Sequence, residues 1–229
     1  MDQTLLKMAI VVGSLGLASQ ASFANPLDIG ACLGSACTPT QVATQNNAPP
    51  QNLTYSGTLG TWTISVTGTV PSEPNLLSNT IDIQSGGAGT LELFVSSLNN
   101  NPSGVPAYLS AFTSNSVPSG WTVQEITYAD NANAEFSTAD ELASITFSVQ
   151  GTNSQTNTPS PALVAPFGLT EEYIITATGA GTTNDTIDLT AATPAPSTWT
   201  MFIASLLGLG VITYAGSKKK QHAPRLAMA

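Results

Sequence analysis

Residues 61–70, TWTISVTGTV, decide the fold class, because Trp62, Ile64 and Val66 alternate with Thr63, Ser65 and Thr67. A period of two places the apolar set on one face of a pleated strand and the hydroxyl set on the other. The pattern recurs downstream, where Ile81 and Ile83 flank Asp82, and Leu91, Leu93 and Val95 alternate with Glu92, Phe94 and Ser96. Between them Ser85-Gly86-Gly87-Ala88-Gly89 supplies turn residues. Further strands are expected at 107–113, 121–128, 142–150, 172–178 and 186–190, each bounded by Pro, Gly, Asn or Ser. No sustained apolar stripe at helical spacing occurs between 53 and 190, and Ser137 to Glu141 offers at most the start of one helical turn.

Many short strands without crossover helices predict an all-β domain over 53–190, an antiparallel β-sandwich of jelly-roll type. Its expected core anchors are Trp62, Ile64, Val66, Leu91, Leu93, Val95, Trp121, Val123, Ile145, Phe147, Val149 and Ile175. Residues 38–52, TPTQVATQNNAPPQN, hold Val42 as their only large apolar group, so 25–52 is expected to be a lead-in linker. Residues 151–169, polar at their start, read as a long loop.

The 229 residues carry a formal net charge of −9, unevenly placed. Every base lies near an end, at Lys7, Lys218, Lys219, Lys220 and Arg225, with the one histidine at His222. Of 14 acids only Asp2 lies outside 25–217, so that segment holds 14 − 1 = 13 acids, no base, and a charge of −13. Such a domain repels phosphate backbones, which excludes nucleic acid as a partner. It has no side-chain ion pair to make, a small loss because surface pairs contribute about 0–1 kcal/mol each.

The same count closes much chemistry. Ser-His-Asp, Cys-His and histidine–metal sites need an imidazole, and Schiff-base chemistry needs a lysine. No catalytic residue, cofactor or metal ligand is assigned. Carboxylates alone can hydrolyse glycosidic bonds if two face one cleft, which leaves Glu92, Glu125 and Glu135 as candidates against the alternative of solvated strand faces. Adjacent Glu171 and Glu172 point to opposite sides of a strand. Asp130-Asn131-Ala132-Asn133-Ala134-Glu135 clusters oxygen donors suited to calcium, but alanines occupy the third and fifth places of an EF-hand loop, and a hydrated acidic loop is the other reading. The threonines at 61, 63, 67 and 69 form a face for ordered water or sugar, or are simply good strand residues. Trp121 and Tyr128 are a sugar-stacking platform if exposed, and core if not.

Two apolar segments flank this domain. Lys7, the apolar stretch MAIVVGSLGL at 8–17 and Ser22-Phe23-Ala24 compose a secretory signal helix over 1–24, cut after Ala24 or, alternatively, after Ala21. The exported compartment is oxidising, so Cys32 and Cys37 of CLGSAC either close a small loop worth about 2 kcal/mol or remain as free or intermolecular thiols. Two cysteines without histidine fall short of a zinc site. At the other end, 17 residues from Trp199 to Ala215 contain no ionisable group except the Tyr214 phenol, enough helix at about 1.5 Å per residue to cross a bilayer narrowly. Trp199 and Tyr214 mark its interfaces, and Lys218, Lys219 and Lys220 stay in the cytoplasm.

Pro194, Ala195, Pro196, Ser197, Thr198 and Trp199, followed by a membrane helix over 199–217 and a basic tail over 218–229, resemble the PEP-CTERM sorting signal, with Ala195 standing where Glu is usual. The opening Tyr55-Ser56-Gly57, Gly60 and Trp62-Thr63-Ile64, with SGGAGTL at 85–91, is similar to the β-rich ectodomain of one group of these proteins. The first resemblance implies an exosortase substrate that passes the Sec translocon, is held in the membrane by its C-terminal helix, is cut within or near the sorting motif at 191–198, and ends at the surface or outside a bacterium that makes extracellular polysaccharide. The expected function is that of an acidic, non-enzymatic matrix protein, with polysaccharide as partner, directly or through divalent cations. The alternatives are a carbohydrate-binding module or a carboxylate-only glycoside hydrolase. Mass spectrometry of the protein from its native host is expected to find a mature C-terminus near Pro196; a mature chain ending at Ala229 contradicts processing.

Overall fold

The computed structural model describes residues 25–101 and 107–192. The signal segment with Ala24, the sorting motif from Pro194 to Trp199, the helix at 199–217 and Lys218 to Lys220 lie outside the described residues.

Twelve strands run in chain order: β1 (Asn25–Leu33), β2 (Thr40–Asn47), β3 (Gln51–Leu59), β4 (Trp62–Val70), β5 (Leu76–Ser85), β6 (Gly89–Asn100), β7 (Tyr108–Ser116), β8 (Thr122–Asp130), β9 (Glu141–Phe147), β10 (Gly151–Asn157), β11 (Phe167–Ala177) and β12 (Gly181–Ala191). They form two six-stranded antiparallel sheets, β2-β1-β6-β11-β8-β9 (sheet A) and β10-β7-β12-β5-β4-β3 (sheet B). The result is a β-sandwich with no helix among the described residues. Ser137 to Glu141 contains no helical turn: 137–140 is irregular loop and Glu141 opens β9.

The segment expected as a linker is part of the sandwich. β1 pairs with β6 from Leu27↔Ser97 to Leu33↔Leu91, and its Leu27, Ile29 and Ala31 alternate into the core. β2 is mostly polar and buries little beyond its half-buried Val42 and Ala43; its ladder to β1 holds it in place as an edge strand. The expected loop at 151–169 likewise contains β10, an edge strand of polar residues paired to β7. Both misjudged strands satisfy their backbone through a neighbour rather than through apolar burial, which leaves no period-two apolar signal.

Ten of the 12 expected core anchors are buried. Ile145 is only partly buried against the core, and Val149 is 69% exposed in the bend between β9 and β10. Trp62 from sheet B meets Trp121, which precedes β8, edge to face at a centroid distance of 5.8 Å. Such a contact adds roughly 0.5–1.5 kcal/mol beyond the area it buries. Tyr173 of β11 crosses the interior and ties the sheets together: its hydroxyl lies 2.7 Å from Ser78 Oγ and accepts the Ile187 amide at 3.0 Å. The β3–β4 hairpin turns at Gly60, whose φ of +59° favours a residue without Cβ.

Candidate functional site

The outer faces of the two sheets differ. Sheet A is roofed. Phe136, in the loop between β8 and β9, lies over Gly30 of β1, where an added Cβ would come within 2.8 Å of its ring, and its ring centroid is 6.0 Å from that of Phe94 on β6. The Phe136 amide donates to Ser96 Oγ at 3.1 Å, and Gln41 Nε2 donates to Glu135 Oε1 at 2.8 Å. The CLGSAC loop covers the other end: the structure joins Cys32 to Cys37, and Glu92 Oε1 accepts the Ala36 amide at 2.6 Å while Oε2 accepts the Cys37 amide at 3.2 Å.

Sheet B has no such cover among the described residues, and its outer face is mostly hydroxyl and amide groups, with the carboxyls of Asp82 and Asp188 and the apolar Leu77, Leu109 and Ala111 among them. The strand registers align Thr152 (β10), Thr113 (β7), Thr186 (β12), Asn79 (β5), Thr67 (β4) and Thr54 (β3) in one row across the sheet. All six are exposed or half-exposed. Asn79 Nδ2 donates to Thr186 Oγ1 at 3.1 Å, and the Thr54 and Thr67 hydroxyls lie 3.0 Å apart. A second row, Thr182, Gln84, Thr63 and Thr58, lies further along the strands. Neighbours within a row are set by the strand spacing, about 4.8 Å, and side chains along one face repeat about every 6.8 Å. At the β7–β10 end the face sinks into an open depression of ≈ 540 Å³ beside Ala111, Thr113, Thr152 and Ser154. Of the threonines singled out in the sequence, Thr63, Thr67 and Thr69 stand on this face and Thr61 lies in the hairpin turn.

The other candidates do not form sites as expected. Trp121 and Tyr128 are 2% and 7% exposed, so neither is a stacking platform. The carboxylates do not share a cleft: Glu125 lies between the sheets, opposite Tyr173, whereas Glu92 and Glu135 lie on the outer side of sheet A. The acidic loop spends its oxygens on its own architecture. Asp130 accepts the amides of Ala132 and Ala134 at 2.8 and 3.3 Å, Asn131 Oδ1 accepts the Val164 amide at 2.7 Å, and Asn133 Oδ1 accepts the Asn99 amide at 2.8 Å.

Sequence reasoning missed that many acids are inside. Asp28, Glu92, Glu125, Asp130, Glu171, Glu172 and Asp185 are all buried. Glu171 and Glu172 do point to opposite sides: Glu171 faces the interior, and Glu172 on the outer side accepts the Tyr128 hydroxyl at 2.7 Å. Asp185 accepts hydroxyls from Ser114 at 2.5 Å and Thr183 at 2.8 Å; burial nevertheless pushes its carboxyl up to about 6. Neither oxygen of Glu125 or Glu171 meets a donor in bonding geometry. Burial first, then the charges of Asp185 and Glu171, push Glu125 up to about 9, although the Thr113 backbone lies close enough to offset part of the shift. Burial also holds Glu171 well above the usual carboxylate range; Ser78 and the Leu189 backbone offset part of this, and the charge of Asp188 adds to it. A serine and threonine pattern at alternate positions of the facing strands, Ser78, Thr80, Ser110, Ser114 and Thr183, was the available signal that polar groups meet inside.

No protein-family model matches the chain, and no curated protein matches it in sequence. Among solved structures, a carbohydrate-binding module, TmCBM61, solved with β-1,4-galactotriose, aligns with a TM-score of 0.32 at 13% identity, covering 57% of this chain and 88% of that one. A superposition that loose carries no argument about ligand or mechanism.

The buried acids give the fold a pH dependence of definite sign. A carboxyl with a raised folded pKa binds more protons folded than unfolded, so its folding advantage is complete below the unfolded pKa and is lost as pH rises toward the folded value. For Glu125 the window runs from 4.5 to about 9, and Asp185 adds a lower one from 3.8 to about 6. Urea midpoints measured from pH 4 to pH 9.5 are expected to fall steadily with pH, and Glu125→Gln to flatten the decline above pH 6. A midpoint that rises from pH 5 to pH 9 contradicts the burial of these groups as neutral acids.

Proposed function

We propose that this chain is an exported, non-enzymatic polysaccharide-binding β-sandwich of a bacterial surface or extracellular matrix, delivered through the Sec translocon and sorted by an exosortase. The observation that supports the ligand is the row of Thr152, Thr113, Thr186, Asn79, Thr67 and Thr54 across sheet B. A periodic array of hydroxyl donors and acceptors complements a ligand that is itself a periodic array of hydroxyls, and an extended glycan strand is such a ligand. A domain with thirteen acids and no base between 25 and 217 repels polyanionic glycans, so the direct ligand is a neutral polysaccharide; anionic ones need divalent cations to bridge. The absence of an exposed aromatic platform at Trp121 and Tyr128 moves recognition from stacking to hydrogen bonding. The support for export and sorting is the pair of terminal segments and the tripeptide at Pro194, Ala195 and Pro196.

Replacing Thr67 and Thr186 together by valine removes two hydroxyls from the row while keeping β-branched strand formers. At about 0.5–1.5 kcal/mol per hydrogen bond, the double variant is expected to bind neutral polysaccharide roughly 5- to 150-fold more weakly in affinity electrophoresis, with a melting temperature lowered only by the loss of the Thr54–Thr67 and Asn79–Thr186 side-chain contacts. Unchanged mobility shifts across a panel of neutral polysaccharides, for both proteins, contradict the assignment of this face.

A further inference from the structure

Cys32, Cys37 and Glu92 lie on the roofed side of sheet A, with Cys32 directly opposite Glu92 in the β1–β6 register. Glu92 Oε2 is 3.3 Å from Cys37 Sγ and 3.7 Å from Cys32 Sγ. The two sulfurs and a carboxylate oxygen all lie within 4.8 Å of one another. Disulfide sulfurs carry no proton to donate, so these short approaches gain no hydrogen bond; the carboxylate is held there by the amides of Ala36 and Cys37. Ala36 adopts a φ of +56° to present its amide, a conformation disfavoured for a residue with a Cβ. The two amides thus hold the buried Glu92 carboxylate in contact with both sulfurs.

We propose that this cluster is a redox-gated site for one thiophilic divalent cation of the Zn²⁺ or Cd²⁺ class, bound when Cys32 and Cys37 are thiolates and released when they form the disulfide. The geometry fits a tetrahedral ion. With metal–sulfur bonds of about 2.3 Å and a metal–oxygen bond of about 2.1 Å, a tetrahedron requires sulfur–oxygen edges of about 3.6 Å and a sulfur–sulfur edge of about 3.8 Å. The two sulfur–oxygen distances are already there at 3.3 and 3.7 Å, and only the sulfurs must part on reduction. Three protein ligands leave a fourth position for water, and Leu33, Gly34, Ser35 and Ala36 leave the loop side exposed for entry. Two thiolates favour a soft cation over calcium or magnesium. The amides of Ala36 and Cys37 orient the carboxylate as outer hydrogen bonds commonly orient metal ligands.

The chain is synthesised with both thiols reduced, so metal capture and disulfide formation compete for the same sulfurs. Binding exchanges two thiol protons for one divalent cation. Oxidation by a disulfide acceptor joins the two sulfurs, passes two electrons to the acceptor, frees the cation, and releases the acceptor as two thiols after it takes up two protons from solvent.

The test is a Cd²⁺ titration of the full chain, followed by the ultraviolet thiolate-to-metal charge-transfer band, in four samples: disulfide form, anaerobically phosphine-reduced form, reduced Glu92→Gln and reduced Cys37→Ser. The reduced form is expected to take up about one Cd²⁺ with the absorbance of two thiolates, and the disulfide form to show no band. Glu92→Gln is expected to weaken binding by about tenfold or more, the scale on which even an outer partner of a ligand counts, and Cys37→Ser to lose tight binding. If Glu92→Gln does not fold, Glu92→Asp, which draws the carboxylate back by one methylene, takes its place with the same expected direction. Adding a small-molecule disulfide to the loaded unmutated chain is expected to release the metal to an indicator. Equal Cd²⁺ affinity with and without the Glu92 carboxylate, or retention of the metal after oxidation, overturns the proposal.

Discussion

The constraint on which this structure depends is that its sandwich must bury acids without a single base. Thirteen carboxyls lie among the described residues, and no Lys, Arg or His lies among them. An isolated buried carboxylate is too costly to keep charged, so each must be hydrogen-bonded or neutral. The fold uses both routes. Backbone amides hold Glu92 and Asp130, hydroxyls and a glutamine amide serve Asp185, Glu172 and Asp28, and Glu125 and Glu171 are left to burial and hence to the proton. The serine and threonine content of the facing strands follows from this: Ser114, Thr183 and Thr80 converge on Asp185 because no cation is present to do so.

The same economy separates the two outer faces. On sheet A the acids Asp28, Glu92 and Glu172 are buried, Glu92 beneath the CLGSAC loop whose amides it accepts, Asp28 against Gln41 of β2 and Glu172 against Tyr128 of β8, and the Phe136 loop covers part of that face. On sheet B the alternate positions are mostly hydroxyls and amides, joined by the half-exposed carboxyls of Asp82 and Asp188, and the face stays open from β10 to β3. Covering one side therefore leaves a flat, regularly spaced polar surface as the part of the domain most suited to meeting an extended partner. The roof over sheet A has its own consequence, because it brings the only two cysteines against a carboxylate sixty positions away from one of them in sequence.

Strands with a period-two apolar pattern were legible: Trp62-Ile64-Val66 and Leu91-Leu93-Val95 enter the core as their alternation requires. The polar edge strands β2 and β10 were not, although the edge strand β9 was expected at 142–150. Thr40–Asn47 has only Val42 and Ala43 as apolar groups and Gly151–Asn157 has no apolar side chain, so the partner ladder, which no local pattern encodes, makes them strands. The threonine face was visible at β4, but its extension across six strands depends on register, and the bulges between Ser65 and Val66 and between Thr183 and Asp185 shift that register by an amount the sequence does not state. Glu92 as a neighbour of the cysteines was out of reach for the same reason. The interior location of Glu125 was half-legible: Val123-Glu125-Thr127-Ala129 continues one face of an apolar strand, so its period puts the carboxyl inside, and the ordinary preference of glutamate for solvent pointed the other way.

The central claim is that this base-free sandwich keeps an interior carboxyl as a neutral acid at neutral pH, and the protonation state of Glu125 tests it most directly. Carbon-detected NMR of the side-chain carboxyl, assigned by its loss in Glu125→Gln, is predicted to show the protonated shift at pH 7 and a midpoint near 9. An ionised Glu125 at pH 7, titrating near the ordinary value of 4.5 in the folded protein, would contradict the account.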